Sequence, residues 1–578
     1  MKKIDVQKIK NPKFLKKISE STLETLAFDI RKLIIDKCSQ YGGHLSSNLG
    51  LVELELSLYK VFDAPFDKIF FDVGHECYVE KILTGRPLLN LRKKDGNDGF
   101  LNMHESKYDV YEAGHSSTSI GTALGYAYAR DFSDEKYKIV VVIGDASLAN
   151  GVAFEAINNL NIYHKQFLII LNDNEMGIAS TKGGLEAFFK ENEKSFKSFN
   201  LDYYGPIDGN NFKELNDYLT KVKDIDHPVL LHIKTKKGKG YSFSELDKTG
   251  KYHFINKFDI KTGDPVLKSN LISFSYLYSK LLNKEMEKNK NIVVITPATS
   301  MGANLAELFN KYKERTFDVG INEEHALLFA NGLALSKKIH PYVVIYSTFL
   351  QRAIDEVIHD IARMDTKVTI LVDKVGLIGE DGLSHQGIYD LSFLMNIPNL
   401  TISAPSNFLE AKELFKFSLT FKKPLIIRYP FSLMENEKDY SINKLTKLKV
   451  GYYKKLNISL SKERVLLSYG PHINEISSYI KENKIDITLI NLIFIKPISI
   501  TLIKEIIKYD EIIIYDPYSI KGGLSSYLLL LLNEFNYKGK VKIFSIDLKY
   551  VAKATILEQE KDNKVDVNTV YKYLLKGE

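Results

Sequence analysis

Along most of the chain, short runs of apolar residues alternate with longer segments whose apolar positions recur every three or four residues. The short runs read as buried strands and the longer segments as amphipathic helices. Their repeated alternation predicts an α/β fold with mainly parallel sheets. Residues 138–144 (KIVVVIG) read as a strand, 150–163 as a helix and 167–171 (FLIIL) as the next strand. A second set of strands is expected at 292–295, 342–345, 368–372, 400–403 and 425–427. Helices fall between them, for example at 322–336 and 350–364. A third set is expected at 465–468, 487–490, 511–515 and 541–546. The leucine run 528–532 is far shorter than the ~20 apolar residues a membrane helix needs and reads as a buried helix segment.

Two polar stretches without a clear period, 236–265 and 435–447, read as connectors. They place domain boundaries near 268 and 445, giving three α/β domains at 1–268, 269–445 and 446–578, in line with a length of 578 residues. The charged segment 180–200 reads as a surface helix or a flap. Apolar content of 44% supports several full cores. A net charge of +7 over this length suits phosphorylated substrates, and no basic stripe with interleaved aromatics points to nucleic acid. The cysteines, Cys38 and Cys77, have neither CxxC nor metal-ligand spacing. Residues 1–17 are too polar for a signal peptide, so a reducing cytoplasm is expected, with no membrane partner.

The strand ending in Gly144-Asp145 is followed by a helix and by a strand ending in Asn172-Asp173-Asn174. A βαβ crossover sets such strands side by side or nearly so, with their carboxyl ends facing one crevice. Asp145 and Asn174 then converge as hard oxygen donors suited to Mg²⁺ beside a phosphate. Alone, Asp145 reads more readily as a helix cap, and it is the pairing with Asn174 that favours the metal. Glycine also stands next to histidine or tyrosine in Gly43-His44, Gly74-His75, Gly114-His115-Ser116 and Gly240-Tyr241. Glycine admits close approach of backbone to a ligand, and histidine supplies a proton near neutral pH.

The run VIGDASLANGVAFEAINN through LNDNEMGI, with these glycine-histidine motifs, resembles the 1-deoxyxylulose-5-phosphate synthases, transketolase-like thiamine diphosphate enzymes. The resemblance implies Mg²⁺ held by Asp145, Asn174 and the carbonyl of Met176, and thiamine diphosphate held by His75, Gly114, His115, Ser116, Asn174 and Tyr241. Backbone N–H groups of Ala146 and Ser147 would face the diphosphate. Ala146 stands where the family usually has glycine. His44 would assist proton transfers, and His253 matches a further active-site histidine with the spacing from Tyr241 off by one.

In the second domain FDVGINEEH leads from a strand into an apolar helix. A glutamate there suits the helix dipole; by resemblance Glu323 is the carboxyl that engages the cofactor's aminopyrimidine. The segments YSTFLQRA and GLIGEDGLSHQG are also similar to the family. They imply that Phe349 stacks on the pyrimidine and that Tyr346, Arg352, Lys374, Asp381, His385 and Arg428 face the substrates, with His385 also catalytic. These substrates would be pyruvate and D-glyceraldehyde 3-phosphate, joined with loss of CO₂ by a homodimer. Lys374 and Phe431 stand where the family usually has arginine, which predicts weaker binding of the aldehyde phosphate. The segment after Asn174 is shorter than usual. Two other readings stay open: a different thiamine diphosphate enzyme, either a transketolase or a 2-oxo acid decarboxylating component, and an inactive paralogue serving as a binding subunit.

Overall fold

The computed structural model describes residues 4–174, 176, 184, 196–266, 270–443, 445 and 447–576. The expected flap at 180–200 lies outside the described residues except for 184 and 196–200. The chain forms two compact units, Met1–Lys268 and Ser269–Glu578.

The first unit is built on strands β1 (Lys68–Asp72), β2 (Ile139–Gly144), β3 (Phe167–Asp173), β4 (Asp202–Asp208) and β5 (Pro228–Lys234). They form one parallel sheet in the order β1-β2-β3-β5-β4. Alternate residues of β2 serve opposite faces. Val140 and Val142 pack into one hydrophobic cluster, and Ile139, Val141 and Ile143 into another. Helices cover both faces, which is why the strand reads as an unbroken apolar run. The helix Gly151–Leu160 makes the crossover from β2 to β3. Strands β1, β4 and β5 carry weaker signals. In β4 the Gly205-Pro206 pair interrupts an edge strand, the position where proline is tolerated.

The stretch 236–265, expected as a connector, is instead part of this unit. Its Tyr241, Tyr252, Ile255 and Phe258 are buried in the first cluster, and Ile255 bridges to Gly43. Polar residues between these anchors hide the pattern in the sequence.

The second unit contains β6 (Ile272–Ser273), β7 (Ile292–Thr296), β8 (Thr316–Asp318), β9 (His340–Tyr346), β10 (Thr369–Val375), β11 (Thr401–Ser403), β12 (Leu425–Pro430), β13 (Leu433–Met434), β14 (Tyr453–Asn457), β15 (Arg464–Ser468), β16 (Thr488–Leu492), β17 (Phe494–Lys496), β18 (Glu511–Ile520) and β19 (Lys540–Ile546). Its larger sheet has the order β17-β11-β12-β10-β9-β7-β8, parallel except for the edge strand β17. A second sheet runs β14-β16-β15-β18-β19, with β14 antiparallel. The short strands β6 and β13 pair separately. Residues on both sides of position 445 share one hydrophobic cluster, in which Val343 and Ile370 join Leu467 and Ile514.

The helix expected at 322–336 is Glu323–Leu335. The single helix expected at 350–364 is instead a helical turn Ser347–Leu350, a 3₁₀ turn Gln351–Ala353 and a π-helical stretch Glu356–Ala362. These changes of pitch still bury Leu350, Ala353, Val357 and Ile361, so the apolar spacing survives while the hydrogen-bond pattern does not. The leucine run lies in the helix Leu524–Glu534. Among the described residues no helix is long and apolar enough to cross a membrane.

Candidate functional site

In the first unit, Gly144 lies opposite Asn172 in the β2–β3 ladder. The carboxyl ends of neighbouring strands therefore carry Asp145 and Asn174 on one edge of the sheet. Burial pushes the Asp145 carboxyl up to about 6, and the charge of Asp173 adds to the shift. A carboxylate so disfavoured gains from a divalent cation. The Asn174 side-chain oxygen accepts from the Met176 N–H at 3.1 Å, which folds Met176 back toward the strand end. The Ala146 N–H, expected to face the diphosphate, donates to the Asp145 carboxylate at 2.9 Å. The reason is local: Asp145 is the first residue of the short helix Asp145–Leu148, and its carboxylate takes the free N–H of the next residue.

Three histidines meet beside this edge. The rings of His44 and His75 are 4.5 Å apart, His44 and His253 5.7 Å, and His75 and His253 5.2 Å. Asn48 ties two of their loops together, its amide donating to the carbonyls of His44 (2.7 Å) and His75 (2.9 Å). Gly43 is in the left-handed region, and a side chain there would run into the Tyr78 hydroxyl, which accepts from the His44 N–H. Burial holds His253 well below its ordinary value, helped by the Lys237 cation, so its ring is neutral near pH 7. Its Nδ1 finds no hydrogen-bond partner among the described residues. The one-residue change in spacing thus leaves His253 in the cluster.

Gly74, beside His75, pairs its N–H with the Ala113 carbonyl at 2.8 Å, bringing His75 next to Gly114, His115 and Ser116. That turn is fixed by Asp72, whose carboxylate accepts from the Ser117 and Ser119 N–H groups at 2.8 and 3.1 Å. The Ser147 side chain bonds to the same carboxylate. Tyr241, expected against the cofactor, donates its hydroxyl to the Ile260 carbonyl at 3.0 Å and packs among Phe243, Tyr252 and Phe258. Its ring serves the core.

The sequence reading missed two charged groups here. Lys237 is part-buried, and desolvation lowers its ammonium while Asp145, Glu76 and Asp247 support its charge. Glu76 is pushed up to about 8 by burial, against the pull of Lys237. Lys237 sits in the run KTKKGKGY, where charge density reads as solvent-facing.

In the second unit, Glu323 begins the helix Glu323–Leu335 and is 2% exposed. Burial raises its carboxyl, and the Arg352 guanidinium, 3.6 Å from Oε2, opposes that rise. Oε2 has no hydrogen-bond partner among the described residues. Arg352 and Phe349 share the turns after β9. Phe349 stacks with Tyr346 at 5.6 Å and meets the edge of His385 at 5.8 Å. His385 takes a 2.9 Å hydrogen bond between its Nδ1 and the Ser384 hydroxyl, which orients the ring. The Lys374 ammonium lies over Tyr346 (5.5 Å) and Phe431 (4.2 Å). Asp381 is part-buried in the loop 376–387.

Arg428 is a correction. Expected to face substrate, it is fully buried and clamps both Asp390 oxygens at 2.7 Å. Its remaining N–H groups reach the Tyr469 hydroxyl and the Tyr518 carbonyl. With its guanidinium so engaged, it joins β12 to the second sheet of the unit.

Residues 6–195 and 190–235 match the family model for 1-deoxy-D-xylulose-5-phosphate synthase, and residues 271–436 that for the transketolase pyrimidine-binding domain. A 1-deoxy-D-xylulose-5-phosphate synthase of Alkaliphilus oremlandii is 38% identical, the match covering 93% of this chain and 93% of the relative. One of Listeria monocytogenes is 38% identical over 93% of this chain and 91% of its own length. The transketolase structure of Campylobacter jejuni is similar at a TM-score of 0.45 and 17% identity, covering 96% of this chain and 100% of that one. With near-complete coverage at this identity, the chain belongs to the 1-deoxy-D-xylulose-5-phosphate synthase family.

Proposed function

We propose that the chain performs its family's reaction: it condenses pyruvate with D-glyceraldehyde 3-phosphate, releases CO₂ and yields 1-deoxy-D-xylulose 5-phosphate. The observation that carries this reading is Glu323, a buried carboxyl with Oε2 lacking a hydrogen-bond partner and with its ordinary acidity suppressed. A buried carboxyl that holds its proton more tightly than usual suits a hydrogen bond to a ring nitrogen, as the aminopyrimidine of thiamine diphosphate requires. Thiamine diphosphate, when bound, supplies the electron sink for decarboxylation. Asp145, the Asn174 side chain and the Met176 carbonyl would hold Mg²⁺. His75, the turn at Gly114–Ser116 and Ser147 would line the diphosphate end.

The protein's own groups then divide the remaining work. The clustered histidines suit proton transfer, His44 foremost and His253 beside it. His385, oriented by Ser384, and Asp381 would address the substrate oxygens. Lys374 would offer the acceptor phosphate a point charge. Tyr346 and Phe349 form an apolar wall that keeps water from the reacting centre.

A homodimer fits the exposed apolar positions Leu328, Leu335, Ile358 and Met364 of the second unit. Residues 269–445 and 446–578 would be two domains of that unit.

The test is incubation of the protein with Mg²⁺, thiamine diphosphate, pyruvate and D-glyceraldehyde 3-phosphate, with the product identified by mass spectrometry. 1-Deoxy-D-xylulose 5-phosphate should form from these two substrates and vanish in Glu323→Gln. A product formed only from a ketose donor, without pyruvate, would instead identify a transketolase.

A further inference from the structure

The loop 376–387 carries Asp381 and His385, and it is closed by a two-way backbone pairing between Gly376 and Gly387. Within the loop its middle has one long backbone bond, from the Gly382 N–H to the Gly379 carbonyl at 3.3 Å, and no backbone partner for the Gly379 N–H. Gln559, in the helix Ile556–Asp562, supplies one. Its Oε1 accepts from the Gly379 N–H at 3.0 Å, and its Nε2 donates to the Gly379 carbonyl at 2.9 Å. One carboxamide thus satisfies both backbone groups of Gly379, as a neighbouring strand would. The same Nε2 donates to the Ala552 carbonyl at 2.8 Å, tying the clamp to the segment before the helix. Gln559 is 1% exposed, so no water replaces these bonds. Gln386 makes a parallel brace, accepting from the Ile378 N–H at 3.0 Å and donating to the Val551 carbonyl at 3.3 Å. Leu377 and Ile388 complete the attachment by packing with Ile520, Ile546, Val551 and Val565.

We propose that Gln559 is a positioning residue for the synthase reaction, its carboxamide fixing Gly379 and so the stretch from Asp381 to His385 against the acceptor. This rests on the reading of Asp381 and His385 as substrate-facing. Gly379 has a positive φ of 87°, so its conformation is not one the backbone holds by default. With the clamp removed, the buried Gly379 N–H loses its partner and the carbonyl keeps only the long bond from Gly382, so the loop gains a reason to move.

The experiment compares Gln559→Leu and Gln559→Glu with the parent in the full-length holoenzyme. The readouts are kcat and KM for each substrate from pH 6 to 8, and thiamine diphosphate affinity by calorimetry. Gln559→Leu should lower kcat/KM for the aldehyde phosphate at least tenfold, while cofactor affinity stays within twofold. Gln559→Glu should lie near the parent at pH 6, where a carboxylic acid can accept from Gly379 N–H and donate to a carbonyl. It should fall away as pH rises, because a carboxylate has no proton to give and faces two carbonyl oxygens. Parental acceptor kinetics in Gln559→Leu, or an equal loss of cofactor affinity, would overturn the proposal. His385→Ala is run alongside. If it alone is impaired, the clamp fails and the reading of the loop stands; if it too is parental, the reading of the loop fails with it.

Discussion

Phe431 lies 4.2 Å from the Lys374 ammonium, measured to the ring centre, and is 48% exposed. At such an exposed site a cation–π contact is worth about 0.5–1 kcal/mol. The ring therefore holds the one cation expected to meet the acceptor phosphate, and phosphate must draw it away. Phe431→Arg removes that competition and adds a guanidinium with a forked donor face. A hydrogen bond to a charged group contributes about 1.5–3 kcal/mol. The two cations repel each other before the acceptor binds, which offsets about as much as the lost cation–π contact returns. The net gain is then about 1.5–3 kcal/mol, or roughly ten- to a hundredfold in acceptor affinity. Steady-state kinetics with pyruvate saturating and D-glyceraldehyde 3-phosphate varied should show KM falling by that factor, with the gain shrinking as salt rises. An unchanged acceptor KM in a folded, cofactor-binding variant would refute the reasoning, since it would place Lys374 and Phe431 away from the phosphate.

Two further outcomes follow from buried charge. Asp390→Asn leaves the fully buried Arg428 without its counter-charge and should destabilise the protein by about 3–5 kcal/mol in urea unfolding, whereas Arg428→Leu with Asp390→Leu should cost far less. The Glu76 carboxyl is raised from 4.5 to about 8, so its stabilising contribution is complete below pH 4.5 and is lost as pH rises through 8. The cofactor-free protein should therefore lose stability from pH 6 to 8 at up to about 1.4 kcal/mol per pH unit from this group. Glu76→Gln should flatten that slope; an identical slope in the variant would mean that Glu76 is ionised throughout the range.

The sequence by itself determined the α/β class, because strands buried on both faces read as near-continuous apolar runs, as 139–143, 167–171, 342–345 and 370–372 within β2, β3, β9 and β10 do. It also determined which chain segments would come together. Asp145 and Asn174 end adjacent parallel strands, and a short crossover leaves them no other place to go. Glycine next to histidine marked two loops that do meet, as the rings of His44 and His75 show, and His253, without a glycine beside it, joins them. Strands such as β4 escaped notice because an edge strand needs less apolar surface and tolerates Gly-Pro.

Only the tertiary structure decided what individual polar side chains face. Arg428 reads as a substrate ligand until Asp390, from another element, closes on it. Lys237 reads as solvated until the fold part-buries it among Asp145, Glu76 and Asp247. Gln559 has no signal at all, since its partner Gly379 lies 180 residues away. In each case the deciding quantity is burial together with a partner remote in sequence. The desolvation cost that makes such a pairing obligatory exists only once the chain has folded.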